Sequence, residues 1–321
     1  MWKFKPIFKT TIWGGEKIAP FKGVRTELNQ VGESWELSGV AGFESIVVGG
    51  ADAGLTLPQL ISKYGSALLG KSNFSLFGNR FPLLIKFIDA REDLSVQVHP
   101  DDAMARKYGE RNGKTEMWFV LEAEEGAKLA NGFKREVDPS EYEALIESGE
   151  IEQLLNFNQI APGDTYFIPA GRVHAIGKGA FVAEIQQTSD ATYRLYDYHR
   201  KDKEGKEREL HTELAKEAIN FKDTEGKKVD YTPQMNHAVN LSDTPFFTTN
   251  LLTAESEVER DYSKIDSFVV LIATEGEATL RNGVEELTLR SGTTILIPAS
   301  TQTISIIPSS TFTCLETYIR S

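Results

Sequence analysis

The chain has 321 residues, of which 40% are hydrophobic and 26% charged, and a formal net charge of −12. That length is enough for one large or two medium hydrophobic cores. The acidic balance excludes nucleic acid as a main partner, because phosphate-backbone binding needs a basic footprint, while a few local cations are enough to hold one small phosphorylated molecule.

Cys314 is the single cysteine, so neither an intrachain disulfide nor a cysteine-ligated zinc cluster is available, and a reducing compartment is expected. No apolar run reaches the roughly 18 residues of a membrane span. The start, Met1-Trp2-Lys3-Phe4-Lys5-Pro6, lacks the long apolar run of a signal peptide. The expectation is a cytoplasmic protein with no membrane partner.

In chain order, the reach from Trp2 to Ser38 reads as loops and short strands, with strand composition at Trp35–Ser38 and Ser45–Val48. Thr56 is placed to cap a helix with Pro58 in its first turn and Leu60, Ile61, Tyr64 and Leu68 on one face. Leu83–Ala90 reads as a buried strand. Leu94–Pro100 alternates, with Leu94, Val96 and Val98 on one side and Ser95, Gln97 and His99 on the other. That alternation aims Gln97 and His99 into the same space. Pro100 ends the strand, and Asp101 is placed to cap a short helix from Asp102 to Lys107, which makes capping sufficient to explain both aspartates.

Glu116 opens the next strand. Asp138-Pro139-Ser140-Glu141 has the pattern of a helix start, and the polar helical pair it opens runs to about Leu155. Strands follow at Thr165–Pro169 and Phe181–Gln187, then a charged, mobile-looking connection from His199 to Glu209 and a helix capped by Thr212. Beyond about residue 235 the chain becomes a series of short β pieces, with Asn282-Gly283 as a hairpin signal. The expected organisation is a catalytic domain over residues 1–235 and a smaller β domain over 236–321.

The two parts echo each other. The run Pro162-Gly163-Asp164-Thr165-Tyr166-Phe167-Ile168-Pro169-Ala170-Gly171 lines up with Ser291-Gly292-Thr293-Thr294-Ile295-Leu296-Ile297-Pro298-Ala299-Ser300. This strand, small hairpin and Gly-Asp-Pro-Gly-His pattern resembles the two signature segments of cupins. The resemblance implies a mainly β fold of two cupin-type jelly-roll barrels, with a few short helices inserted in and around the first. By spacing, His174 falls opposite Thr303 and Glu116 near Asp266, so metal ligands are expected in the first barrel only.

His99, Glu116 and His174 offer two neutral nitrogens and one anionic oxygen, a donor set suited to a catalytic metal with an open position. Gln97 is placed to add a weak oxygen ligand or to hydrogen-bond a substrate. Imidazole and carboxylate donors suit zinc, and also iron, manganese or nickel. His199, His211 and His237 lie in polar, loop-like surroundings and are read as ordinary polar residues.

Four ordered segments extend the likeness. Gln97-Val98-His99-Pro100-Asp101, Gly113-Lys114-Thr115-Glu116-Met117-Trp118, Pro169-Ala170-Gly171-Arg172-Val173-His174 and Glu184 through Asp197 resemble the motifs of type I mannose-6-phosphate isomerases, in their short bacterial form. Trp13-Gly14-Gly15 and Gly32-Glu33-Ser34-Trp35-Glu36 are similar to that family as well. The resemblance implies a zinc enzyme, with one ion per chain, that interconverts mannose 6-phosphate and fructose 6-phosphate. Carried over by motif, His99, Glu116 and His174 are metal ligands, and Gln97 matches the fourth ligand of longer members. Arg194 matches the family's active-site arginine, and Lys114 and Glu184 match polar residues of its pocket. Catalysis is therefore expected of Arg194, Lys114 and Glu184, and substrate binding of Lys114, Arg194 and Gln97.

Such a reaction moves a proton between C1 and C2 through an enediolate, whose charge needs stabilising. Arg172, Lys114 and Lys86 are candidates for the phosphate end, and Asp190 is read as fixing a loop. Two rivals stand beside this reading: a metal-dependent cupin oxygenase, recognisable by dioxygen consumption, and a non-catalytic sugar-phosphate-binding cupin, recognisable by binding without turnover.

Overall fold

The computed structural model describes residues 1–202, 204–283 and 285–320. The fold is mainly β and consists of two barrel-like sandwiches of antiparallel sheets. In the first, a six-stranded sheet runs in the order Thr165–Ile168, Glu116–Ala123, Ala180–Gln187, Leu83–Asp89, Val31–Leu37 and Ile7–Gly15. Its partner is a five-stranded sheet of Tyr193–Tyr196, Val96–Val98, His174–Ile176, Lys128–Phe133 and Leu155–Gln159.

The second sandwich pairs a seven-stranded with a four-stranded sheet. Five strands of the larger sheet lie between His237 and Tyr318. The other two come from the start of the chain: Trp2–Phe4 pairs with Thr294–Ile297, and Val47–Val48 pairs with Trp2–Phe4. The first residues are thus stitched into the sheet of the last ones.

Residue parity decides what each sheet buries. On Glu116–Ala123, Met117 and Phe119 point away from the first barrel, as do Phe181, Ala183 and Ile185 on Ala180–Gln187 and Ile85 and Phe87 on Leu83–Asp89. They share one core with Val270, Ile272, Leu296 and Leu315 of the second barrel. Burying each such large side chain is worth about 1.5–3 kcal/mol, so this shared layer fuses the barrels. Phe81 and Phe268 meet across it with ring centroids 4.6 Å apart. The opposite parity sends Lys86, Glu116, Trp118 and Glu184 into the first barrel.

The second barrel fills its own interior with Val269, Leu271, Ile295, Ile297, Ile304 and Ile306. Strand register corrects two of the expected correspondences. Glu116 pairs with Ile168, and Ile297, the repeat partner of Ile168, pairs with Val269, so Val269 rather than Asp266 stands opposite Glu116. Asp266 instead accepts hydrogen bonds from the Lys71 and Ser72 amides at 2.8 and 3.0 Å. Thr303 faces solvent, and the buried neighbour that enters the barrel is Ile304.

The helix starts at Thr56, Asp101 and Asp138 hold, and the helical pair after Asp138 is Pro139–Glu147 followed by a 3-10 turn at Ile151–Gln153. Thr56 and Gln59 form a reciprocal capping box on Leu57–Tyr64, although Gly65 (φ 53°) ends that helix and places Leu68 on the next turn. Asp101 caps Asp102–Lys107 through the Met104 amide at 2.8 Å, and Asp138 caps Pro139–Glu147 through Ser140. Thr212 is the first residue of its helix and not the cap. That position belongs to His211, whose Nδ1 accepts the Arg194 amide at 3.3 Å. Within the connection expected to be mobile, Arg200 and Arg208 both ion-pair with Asp197, a grip that charge composition alone does not reveal.

Candidate metal centre and its cleft

His99 follows the Val96–Val98 strand, Glu116 begins its own strand and His174 begins another. The three arrive from different strands, and their ligand atoms lie within 4.8 Å of one another. Their side chains are each 1% exposed. His99 Nε2 is 3.3 Å from Glu116 Oε1, and His174 Nε2 is 3.7 Å from Glu116 Oε2. The His174 ring is aimed from behind, because Nδ1 lies 2.8 Å from the Arg172 carbonyl and so Nε2 is left facing Glu116.

The electrostatics suit a cation. Burial, reinforced by the Lys114 charge, lowers the His99 pKa to about 3, and burial also lowers that of His174, so both rings are neutral ligands at neutral pH. Burial alone would raise the Glu116 carboxyl, but Lys114 and the two histidines hold it well below its usual range. His99 Nδ1 and both Glu116 oxygens have no hydrogen bond of normal geometry, a costly arrangement in a dry interior. Two neutral nitrogens, one carboxylate and orphaned buried acceptors together fit a divalent metal. Gln97 lies against this set, its amide nitrogen 3.3 Å from His174 Nε2.

Lys114 stands beside the trio, with Nζ 3.0 Å from Glu116 Oε1 and 3.2 Å from His99 Nε2. Its approach depends on tight backbone packing at Gly113, where a Cβ would lie 2.6 Å from the backbone of Asp101 and of Asp102. Asp102 therefore does more than sit in a helix: its carboxylate accepts the Gly113 amide at 2.7 Å and the Gln187 side-chain amide at 3.1 Å.

Above the trio opens a cleft of about 180 Å³. Its walls include Gln97, Lys86, Lys114, Glu184 and Arg194, all named from sequence, and Trp13, Glu33 and Trp35. Glu184 accepts the Trp118 indole N–H at 2.8 Å and lies 3.1 Å from Lys86 Nζ. Burial, followed by the nearby Glu116 charge, pushes the Glu184 carboxyl upward despite Lys86. Lys86 offsets its burial with two anions, Glu184 and Glu33, and their field raises its pKa. Arg194 donates from Nε to Ser95 Oγ at 3.3 Å and from Nη1 to the Glu209 carbonyl at 2.8 Å.

Two expectations change. Arg172 does not face the cleft: it grips Asp223 through Nε and Nη2 at 2.6 and 2.7 Å and donates from Nη1 to the Phe167 carbonyl at 3.0 Å, which makes it scaffolding. Asp190, read as a loop-fixing residue, lines the cleft mouth. His199 and His237 lie away from the trio, the first exposed beside Glu207 and the second against the Met235 carbonyl. Glu33 is a cleft residue that composition does not mark. Lys86 carries a clearer signal, as the one lysine that interrupts the largely apolar strand Leu83–Asp89.

Comparison with known proteins places this geometry. A family model described as phosphomannose isomerase type I, catalytic domain, matches residues 1–135, and one described as mannose-6-phosphate isomerase, cupin domain, matches residues 239–313. The chain is 36% identical over 299 residues to mannose-6-phosphate isomerase ManA of Bacillus subtilis, covering 92% of each protein. It is 35% identical over 292 residues to mannose-6-phosphate isomerase of Streptococcus mutans, covering 89% of each. The crystal structure of mannose 6-phosphate isomerase from Bacillus subtilis superposes with a TM-score of 0.88 at 33% identity, covering 99% of both chains. The chain belongs to the type I phosphomannose isomerases.

Proposed function

We propose that the chain is a zinc-dependent aldose–ketose isomerase that interconverts D-mannose 6-phosphate and D-fructose 6-phosphate through an enediolate. The observation behind this reading is the convergence of His99, Glu116 and His174 beneath a cleft walled by Lys86, Lys114, Glu184 and Arg194. Zinc held by the trio, with Gln97 beside it, would supply Lewis-acid polarisation of the sugar's carbonyl end.

The chain's own residues do the rest. Arg194, held by Ser95 and the Glu209 carbonyl, presents a fixed cation to the negative charge that develops on the sugar oxygens. Lys114 is placed to donate a hydrogen bond beside the same oxygens. Glu184, whose carboxyl is pushed upward, is suited to hold and return the proton that moves between the two carbons. Trp118 fixes one of its oxygens by a hydrogen bond, and the Lys86 charge faces the other. Trp13 and Trp35 on the cleft wall help exclude water.

The same reading assigns catalysis to residues 1–235 and an accessory role to 236–321. Its support is that Val269, Leu271 and Ile304 fill the space that polar side chains occupy in the first barrel. It also places the protein in the cytoplasm, with a small sugar phosphate as its partner. The buried single cysteine fits that compartment. Glu184→Gln tests the mechanism: kcat is expected to fall about 100- to 1,000-fold with bound metal and KM near wild type. Retained kcat removes Glu184 from proton transfer.

A further inference from the structure

A single row of residues crosses the five-stranded sheet of the first barrel. His174 pairs with Gln97 and Gln97 with Arg194, so a residue of the metal trio, its neighbour and the cleft arginine stand side by side on one face. The row ends at Arg194, because Tyr193–Tyr196 is the edge strand of that sheet. An edge strand leaves main-chain N–H and C=O groups without a strand partner.

His211 takes the place of that missing strand. Its amide donates to the Arg194 carbonyl at 2.8 Å, and its ring Nδ1 accepts the Arg194 amide at 3.3 Å. A side-chain nitrogen thus completes the two-bond exchange that a paired residue would make through its own carbonyl, with the ring proton on Nε2. Two residues earlier, the Glu209 carbonyl accepts from Arg194 Nη1. One short strap therefore holds the arginine at its main chain and at its guanidinium. The strap is itself anchored. The His211 carbonyl accepts the Ala215 amide at 2.8 Å to start the helix Thr212–Ala218, and Ala215 is buried with Val96, Val98 and Leu195. The ring makes no capping bond to that helix, which leaves Nδ1 to Arg194.

We infer that His211, which sequence reads as an ordinary polar residue, is a positioning residue for isomerisation and acts through Arg194. This deepens the proposed isomerase function and rests on it. A cation stabilises developing charge most when it is already in place, and a misplacement of about 1 Å can cost about 100-fold in rate. Ser95 and Glu209 fix the guanidinium end of Arg194, and His211 fixes the end at its main chain.

His211→Phe keeps a ring and deletes the acceptor. In the full, metal-loaded chain, kcat and kcat/KM for mannose 6-phosphate are expected to fall together by about ten-fold, with KM and metal content near wild type. Hydrogen exchange at the Arg194 amide is expected to quicken. His211→Asn restores an acceptor at the same branch of the side chain and is expected to recover kcat to within about two-fold of wild type. On an Arg194→Lys background, His211→Phe should add less than about two-fold, because residues that act through one another are not additive. Wild-type kcat in His211→Phe overturns the inference, as does a His211→Asn no faster than His211→Phe, or a full ten-fold loss on the Arg194→Lys background. Should His211→Phe fail to fold, His211→Ala replaces it with the same outcomes. A wild type that does not turn over mannose 6-phosphate overturns the isomerase function and this inference with it, whereas an active wild type with an indifferent His211→Phe overturns this inference alone.

Discussion

The Glu184 carboxylate accepts the Trp118 indole N–H at 2.8 Å, across strands whose register sets the two residues opposite each other. Both side chains are nearly unexposed, so the bond is made in a dry interior and fixes one carboxylate oxygen while Lys86 faces the other. Trp118→Phe keeps an aromatic ring and deletes the donor. Loss of a donor to the charged form raises the Glu184 pKa further, so the acid limb of the kcat profile should move to higher pH, with stability lower by about 1–2 kcal/mol. An unmoved limb would separate Trp118 from the chemistry.

Glu116 supplies the anionic donor of the trio. Glu116→Gln keeps the shape but lowers the charge, so metal per chain, measured by elemental analysis, should fall from near one toward zero. Its circular dichroism should stay that of a folded β protein. Full metal content in this variant would place the ion elsewhere.

Arg194 meets Ser95 and the Glu209 carbonyl with two different nitrogens, a fork that an ammonium does not reproduce. Arg194→Lys should cut kcat/KM about 100-fold, equivalent to about 2.7 kcal/mol, while metal content stays at the wild-type level. Unchanged kcat/KM removes Arg194 from the reaction.

Much of this site was legible because its residues obey local rules. The two-residue alternation from Leu94 to His99 points Gln97 and His99 the same way, and Glu116 and His174 sit in short motifs of fixed spacing. What escaped depends on distant pairing. Nothing local marks Trp2–Phe4 and Val47–Val48 as strands of the second barrel's sheet, because their partners lie more than two hundred residues away or are each other. Lys86 stands out as a lysine in an apolar strand, but only its neighbours across the sheet, Glu184 and Glu33, explain how the interior tolerates it. Thr303 was one residue out of register with the barrel wall, where parity exchanges solvent for core.

Arg172 and Asp223 give the fold a pH dependence away from the metal. Asp223 resists burial by accepting hydrogen bonds from Arg172 and by the guanidinium's charge, which hold its carboxyl below the ordinary 3.8. A lowered folded pKa means the contribution is fully present above that ordinary value and fades as pH falls through the folded one. Asp223→Asn should therefore lower Tm at pH 7, and the gap to wild type should close as pH falls through the lowered folded value. A gap that is constant with pH would mean the loss is one of packing.

The central claim is tested most directly by assaying the purified protein for conversion of mannose 6-phosphate to fructose 6-phosphate in a coupled reaction, alongside elemental analysis. The account predicts about one zinc per chain, turnover that chelation abolishes, and recovery on adding zinc back. Zinc-free protein that does not turn over mannose 6-phosphate even when zinc is supplied would contradict it.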